Sequence, residues 1–185
     1  MSWVSDACES IASLRGKRIT RATVVKMALI DQGPGGLPVF RHPAAPFVQA
    51  IKIELALDDG RFALFSNYQN DGDFPISMGI LAESSIEAHW ADATREGEPS
   101  IYRLASPPNF PLGLVTSAET RLNANGDIAE VAMAVEGREV VLRAGEVIEH
   151  AGNTFAFCDM AGSILLFLSA DARSTAKLNE TLSWR

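Results

Sequence analysis

Cysteine is scarce in this chain: there are two, Cys8 and Cys158, far apart and each in apolar surroundings. That excludes a disulfide framework and any Cys-x-x-Cys motif, and it reads as two buried free thiols of a reducing compartment. Histidine is equally thin. His42, His89 and His150 fall in three different predicted contexts, with no His-x-His or His-Glu-x-x-His spacing, so no metal site is expected. There is no Gly-x-Ser-x-Gly elbow, which excludes the common hydrolase nucleophile turn. Gly33-Pro34-Gly35-Gly36 is followed by Leu37-Pro38 and not by the Gly-Lys-Ser/Thr step of a phosphate loop. The strand-helix-strand alternation of a dinucleotide fold is missing as well, and no cofactor is expected.

Long apolar runs are also lacking. The continuous run Ile164 to Leu168 is far short of a membrane span, and no other apolar run is longer. Basic residues never cluster beyond Arg15-Gly16-Lys17-Arg18, and the net charge is −7 with a pI near 5.0. This weighs against a nucleic-acid partner and suits a protein partner with a basic surface. The opening residues lack the basic stretch and apolar core of a secretory signal, which places the expected chain in the cytoplasm.

What is present is β-sheet punctuated by turns. Asn125-Gly126 and Glu136-Gly137 are two-residue hairpin signals between apolar runs, and each fixes a register. The first sets Leu122 opposite Ala129, Thr120 opposite Val131 and Arg121 opposite Glu130. The second sets Met133 opposite Val140, Val131 opposite Leu142 and Glu130 opposite Arg143. Together they predict a three-stranded meander with Val131, Met133, Val135, Val140 and Leu142 on a buried face. Arg121, Glu130 and Arg143 form a solvated charge row on the other, flanked by Glu119 and Glu139. Gly145-Glu146 and Ala151-Gly152-Asn153 read as further turns, and Ile164 to Leu168 as a central strand covered on both faces.

Upstream, Asp59-Gly60 is another two-residue hairpin signal. It predicts Leu57 opposite Phe62, Leu55 opposite Leu64 and Ile53 opposite Ser66. Helices are expected from Asp6 to Gly16, from Ser84 with a capping box through Ile86 to Arg95, and from Asp171 to Leu182. Ile19 to Ile30 reads as a long strand. The fold class is therefore α+β, a single domain over residues 1–185. It is mainly antiparallel sheet built from meander and hairpins, with barrel-like closure as one form it can take, and short helices flank it.

Two long irregular segments, Asp31 to Pro46 and Ser106 to Pro111, are the places for contacts. Phe40 and Arg41 give the first an apolar and a cationic edge, and Phe110 is expected to stand exposed on the second. Asp71 and Asp73 mark a polar loop between Asn67 and Phe74; with no Glu at the closing position of an EF-hand it reads as acidic surface and not as a calcium site. These five residues are the expected binding set. No catalytic residue is expected. Were the chain an enzyme, Glu149, His150 and Asp159 are the acid/base set that flanks neighbouring strands. The leading functional expectation is a non-enzymatic, acidic protein-binding module, one use of which is neutralising a partner as immunity or antitoxin-type proteins do. The alternative is a small-molecule-binding or hydrolytic barrel-like protein with a cavity lined by Phe62, Tyr68, Phe155 and Phe157.

Overall fold

A computed structural model describes residues 3–70, 72–90, 100–150, 154–176, 178 and 181–183. The fold is α+β and mostly antiparallel sheet. Helix α1 (Trp3–Ala12) leads into β1 (Arg18–Met27), and β2 (Val48–Leu57), β3 (Phe62–Asn67) and β4 (Ile76–Leu81) follow as a meander. Helix α2 (Ser85–Trp90) and the short β5 (Tyr102–Ala105) precede the second meander, β6 (Gly113–Leu122), β7 (Ile128–Val135), β8 (Arg138–His150) and β9 (Thr154–Phe167). Helix α3 (Ala170–Thr175) and β10 (Leu182–Ser183) close the described chain.

The two meanders are joined twice. β1 meets β6 at Arg18–Leu114 and Ile19–Gly113, while β2 meets β9 at Val48–Leu166, Gln49–Leu165 and Ala50–Ile164. The hydrogen-bonded path β1-β2-β9-β8-β7-β6 therefore returns to its start as a ring, with β3 and β4 continuing outward from β2. The interior is filled. Val24, Ile53, Leu55 and Phe65 from the first meander interlock with Val131, Met133, Leu142 and Leu166 from the second, and α1 adds Ala7, Ile11 and Leu14 to the same cluster. Burying a Leu, Ile or Phe side chain is worth about 1.5–3 kcal/mol, so this packed layer dominates the stability.

The meander registers follow the turn chemistry. Met133–Val140, Val131–Leu142 and Glu130–Arg143 pair across β7 and β8, and Thr120–Val131 and Arg121–Glu130 across β6 and β7, all as expected. Leu122 pairs with Ile128 and not Ala129, because the Asn123 amide bonds Asp127 O and closes a three-residue loop; a bulge at Ala129, between the Leu122–Ile128 and Arg121–Glu130 pairs, restores the register. At Asp59-Gly60 no bulge intervenes, and the expected register is off by one. The Leu57 amide bonds Arg61 O across a loop of Asp58, Asp59 and Gly60, so Leu55 faces Ala63 and Ile53 faces Phe65. Gly60, at φ +80°, takes the left-handed position that such a loop requires. Asp59 locks it by accepting from the Arg61 amide at 3.1 Å and the Arg61 guanidinium at 2.8 Å. Hydrogen bonds from the Arg61 guanidinium and the Lys17 ammonium hold its carboxyl far below the usual range.

Four further expectations change. Gly145 is not a turn: β8 runs straight through it, and β9 instead bulges at Met160 to Ser163, so that Ala144 pairs with Ile164 and Gly145 with Asp159. The edge of the Phe157 ring occupies the space a Gly145 Cβ would take, which favours glycine at this position. The face carrying Glu130 is solvated only in part: Arg121 stands exposed and pairs with Glu130 at 3.8 Å as expected, but Glu130 itself is 5% exposed, and one nitrogen of the Arg173 guanidinium, Nη2, donates to both of its carboxylate oxygens at 2.7 and 2.8 Å. A second apolar cluster of Phe47, Val141, Leu165 and Phe167, under Ala172 of α3, covers that side of the sheet. Finally, the C-terminal helix stops at Thr175. Ser169 caps its start by accepting from the Ala172 amide at 3.0 Å, and Leu182–Ser183 pairs with Phe155 and Thr154 as a strand. In α1 the helix begins at Trp3, which puts Asp6 in the first turn where an acid is favoured. Arg95 and the turn at 151–153 lie outside the described residues.

Candidate functional site

The site grows from one register. Along β1 the run Val24-Val25-Lys26-Met27 is apolar except for Lys26, and β5 pairs with it antiparallel so that Arg103 stands directly opposite Lys26. Like charges at directly opposed positions destabilise a sheet, so such a pair needs a reason. A third cation joins them. The Leu29 and Ile30 amides both bond Val39 O, at 2.7 and 3.3 Å, and the Val39 amide returns a bond to Ile30 O at 2.9 Å. His42 bridges Ala45 a few residues later. Pinned at both ends, Phe40 and Arg41 lie across the end of β1, with the Arg103 guanidinium 4.4 Å above the Phe40 ring.

Lys26, Phe40 and Arg41 form the shared wall of two adjoining lobes. One, of about 460 Å³, extends along Arg103, Leu104 and Ala105 of β5. The other, of about 360 Å³, is apolar, with Phe47, Leu166, Leu168 and Ala172 among its walls. Both are open clefts rather than enclosed cavities. Among the described residues no carboxylate lines either lobe, and none pairs with Lys26, Arg41 or Arg103. Burial, with Arg41 and Arg103 adding to it, holds the Lys26 ammonium below the ordinary lysine range. Burial also holds His42 below its usual value, so its imidazole is uncharged at neutral pH and contributes shape; its Nδ1 accepts from the Ala44 amide at 3.1 Å. The groove is thus a concentration of positive charge that no described carboxylate compensates, beside an apolar slot, on a chain of net charge −7.

Of the expected binding residues, Phe40 and Arg41 are brought together here. Phe110 is not available: it is 9% exposed and packs in the main core, while Arg138 holds the neighbouring Asn109 carbonyl at 2.9 Å. The connector is folded inward because Pro107 O accepts the Phe110 amide. Asp73 is half-buried in a separate loop, its amide and carbonyl paired with those of Asn70 and its carboxylate 3.4 Å from the Asn125 amide nitrogen. Asp71 lies outside the described residues. The acid/base set is not assembled. Asp159 sits opposite Gly145 and pairs with Arg143 at 3.3 Å, whereas Glu149 and His150 lie four and five residues further along β8, roughly 13–17 Å away at strand spacing. The four aromatics expected to line a cavity are also dispersed. Tyr68 is half exposed against Trp3, Phe155 belongs to the outer cluster, Phe157 covers Gly145 and stacks under Arg143, and Phe62 lies on β3.

Lys26 and Arg103 were not among the expected residues. Their signal in the sequence is a single charge inside each of two apolar strand runs, and it becomes meaningful only once those strands are seen to pair. A scan against protein-family models matches none of them, and a search of curated proteins finds no similar sequence.

Proposed function

We propose that the chain is a non-enzymatic binding module that engages a protein partner through the groove around Lys26, Phe40, Arg41 and Arg103. The observation that carries this reading is the like-charge cross-strand pair Lys26–Arg103, joined by Arg41, with no acidic side chain among the described residues that line either lobe. Arranging three cations this way costs stability, and a partner that neutralises them recovers it on binding. An open, two-lobed cleft suits a polypeptide segment, since small ligands are typically held in concave sites that bury most of their surface. Use of the module to neutralise its partner, in the manner of an immunity or antitoxin-type protein, is one function consistent with this arrangement. It also fits the separation of Glu149 and His150 from Asp159.

A second reading is favoured by the apolar lobe, whose volume of about 360 Å³ suits a small amphipathic anion. Native mass spectrometry of the chain isolated from its own host distinguishes the two. A protein-sized added mass that is absent from the Arg41→Glu/Arg103→Glu variant supports the first reading, and a small added mass lost in that variant supports the second. Added mass retained by the variant, or none on the wild type, removes the groove from the function.

A further inference from the structure

We infer that the groove recognises an extended acidic segment of a partner protein, one that carries a large apolar residue within two positions of its carboxylates. This deepens the proposed function and rests on it. The two lobes divide the work. The apolar lobe, between Phe47, Leu166 and Leu168, takes the apolar side chain, while carboxylates reach the cationic lobe where Arg41 and Arg103 offer planar forks that match them. Because the lobes share Lys26, Phe40 and Arg41, anchor and charge must lie close in the ligand. In an extended segment, residues two apart lie on one face about 7 Å from each other, a spacing that bridges adjoining lobes.

The extended form has its own support. Among the described residues β5 has a strand partner on one side only, β1, and Arg103, Leu104 and Ala105 of that same strand wall the cationic lobe, so an added strand on its other side would bring the segment's side chains to that lobe. Adding a strand at an open edge uses main-chain hydrogen bonds for affinity and alternate side chains for specificity. Charge supplies the sign: a segment bearing two or three carboxylates neutralises Lys26, Arg41 and Arg103, which nothing within the described residues does.

The test is selection of a random peptide library displayed on phage against the full chain, with the Arg41→Glu/Arg103→Glu variant in parallel. The expected result is enrichment of sequences in which Asp or Glu flanks Phe, Leu or Ile, with affinity for the variant reduced roughly tenfold or more. The variant is expected to invert the preference toward Lys- or Arg-containing peptides, and its melting temperature reports that it is folded. Neutral sequences that bind the groove, as shown by loss on Arg41→Glu/Arg103→Glu, overturn this inference and leave the proposed function standing. No enrichment, or equal enrichment on both proteins, overturns both. A single-stranded oligonucleotide that displaces the selected peptides and binds more tightly than they do makes the groove a nucleic-acid site and overturns both as well.

Discussion

Arg103 and Lys26 face one another across β1 and β5, and replacing one of them by an acid turns a repulsive pair into an attractive one. Arg103→Glu is therefore expected to raise stability by about 0.2–1 kcal/mol, measured by urea denaturation, even as it removes groove binding. A merely structural role for Arg103 predicts the opposite sign. Glu146 offers a second residue-level case. Burial, with Asp31 adding to it and the Gly162 amide opposing it, raises its carboxyl above the ordinary value. The folded chain then holds this proton more tightly than the unfolded chain does, so stability falls as pH rises through the ordinary glutamate range and on through the raised folded value. Glu146→Gln should raise the melting temperature at pH 7, and the gain should close below about pH 4, where both states are protonated. An unchanged melting temperature at both pH values would show the carboxylate to be well solvated. Lys26 and Arg103 show why residue identity alone does not reveal the groove. Each is an ordinary strand charge until its neighbour is known, and the pairing of β1 with β5 depends on a connection whose path no local pattern specifies.

At the level of elements, short-range chemistry was legible and its reach was limited. Glu136-Gly137 gave its register directly, since a two-residue loop leaves one way to pair Val135 with Arg138. Asp59-Gly60 did not, because the same dipeptide also fits the last two positions of a three-residue loop. The side chain of Asp59, which bonds Arg61, and the buried set Ile53, Leu55 and Phe65 decide between them. Helix α2 carries a similar lesson. Ser84 was legible as a cap, but the sequence does not show that Glu54 on β2 also serves the helix start, accepting from the Ser84 hydroxyl at 2.6 Å and the Ser85 amide at 2.8 Å. Helix α3 is attached through Arg173 to buried Glu130 as well as through Ala172 packed on the outer cluster, an arrangement hidden by sequence distance. Arg173→Ala leaves that carboxylate only the longer 3.8 Å pair with exposed Arg121 and is expected to cost about 2 kcal/mol by urea denaturation. Glu130→Gln/Arg173→Met should recover a large part of it, because the charge that needs a partner is gone. Equal losses in the two variants would mean that packing of the arginine stem, not the ion pair, holds α3.

For the molecule as a whole, the α+β class and the predominance of antiparallel sheet could be read from turn spacing and strand periodicity. Ring closure could not. It depends on Val48 to Ala50 finding Ile164 to Leu166, and nothing in either run names the other; the continuous apolar character of Ile164 to Leu168 shows only that both faces are covered. None of the described helices is long and apolar enough to cross a membrane. The seam is buried on both sides, by Leu166 within the ring and Leu165 in the outer cluster. Its amides should consequently exchange with solvent only through global opening. Hydrogen exchange is expected to place Ala50, Ile164 and Leu166 among the slowest amides, and fast exchange there would show the ring to open independently of the rest.

That seam also sets an order of events during synthesis. Chain growth runs at about 5–20 residues per second, so on the order of ten seconds separate the emergence of Ala50 from that of Ile164. Throughout that interval the first meander carries an exposed edge whose natural mate has not yet been made. A nascent chain of this design is most vulnerable to adhesion with its neighbours on a polysome before β9 arrives, and the late-translated strand acts as the closing stitch for everything before it.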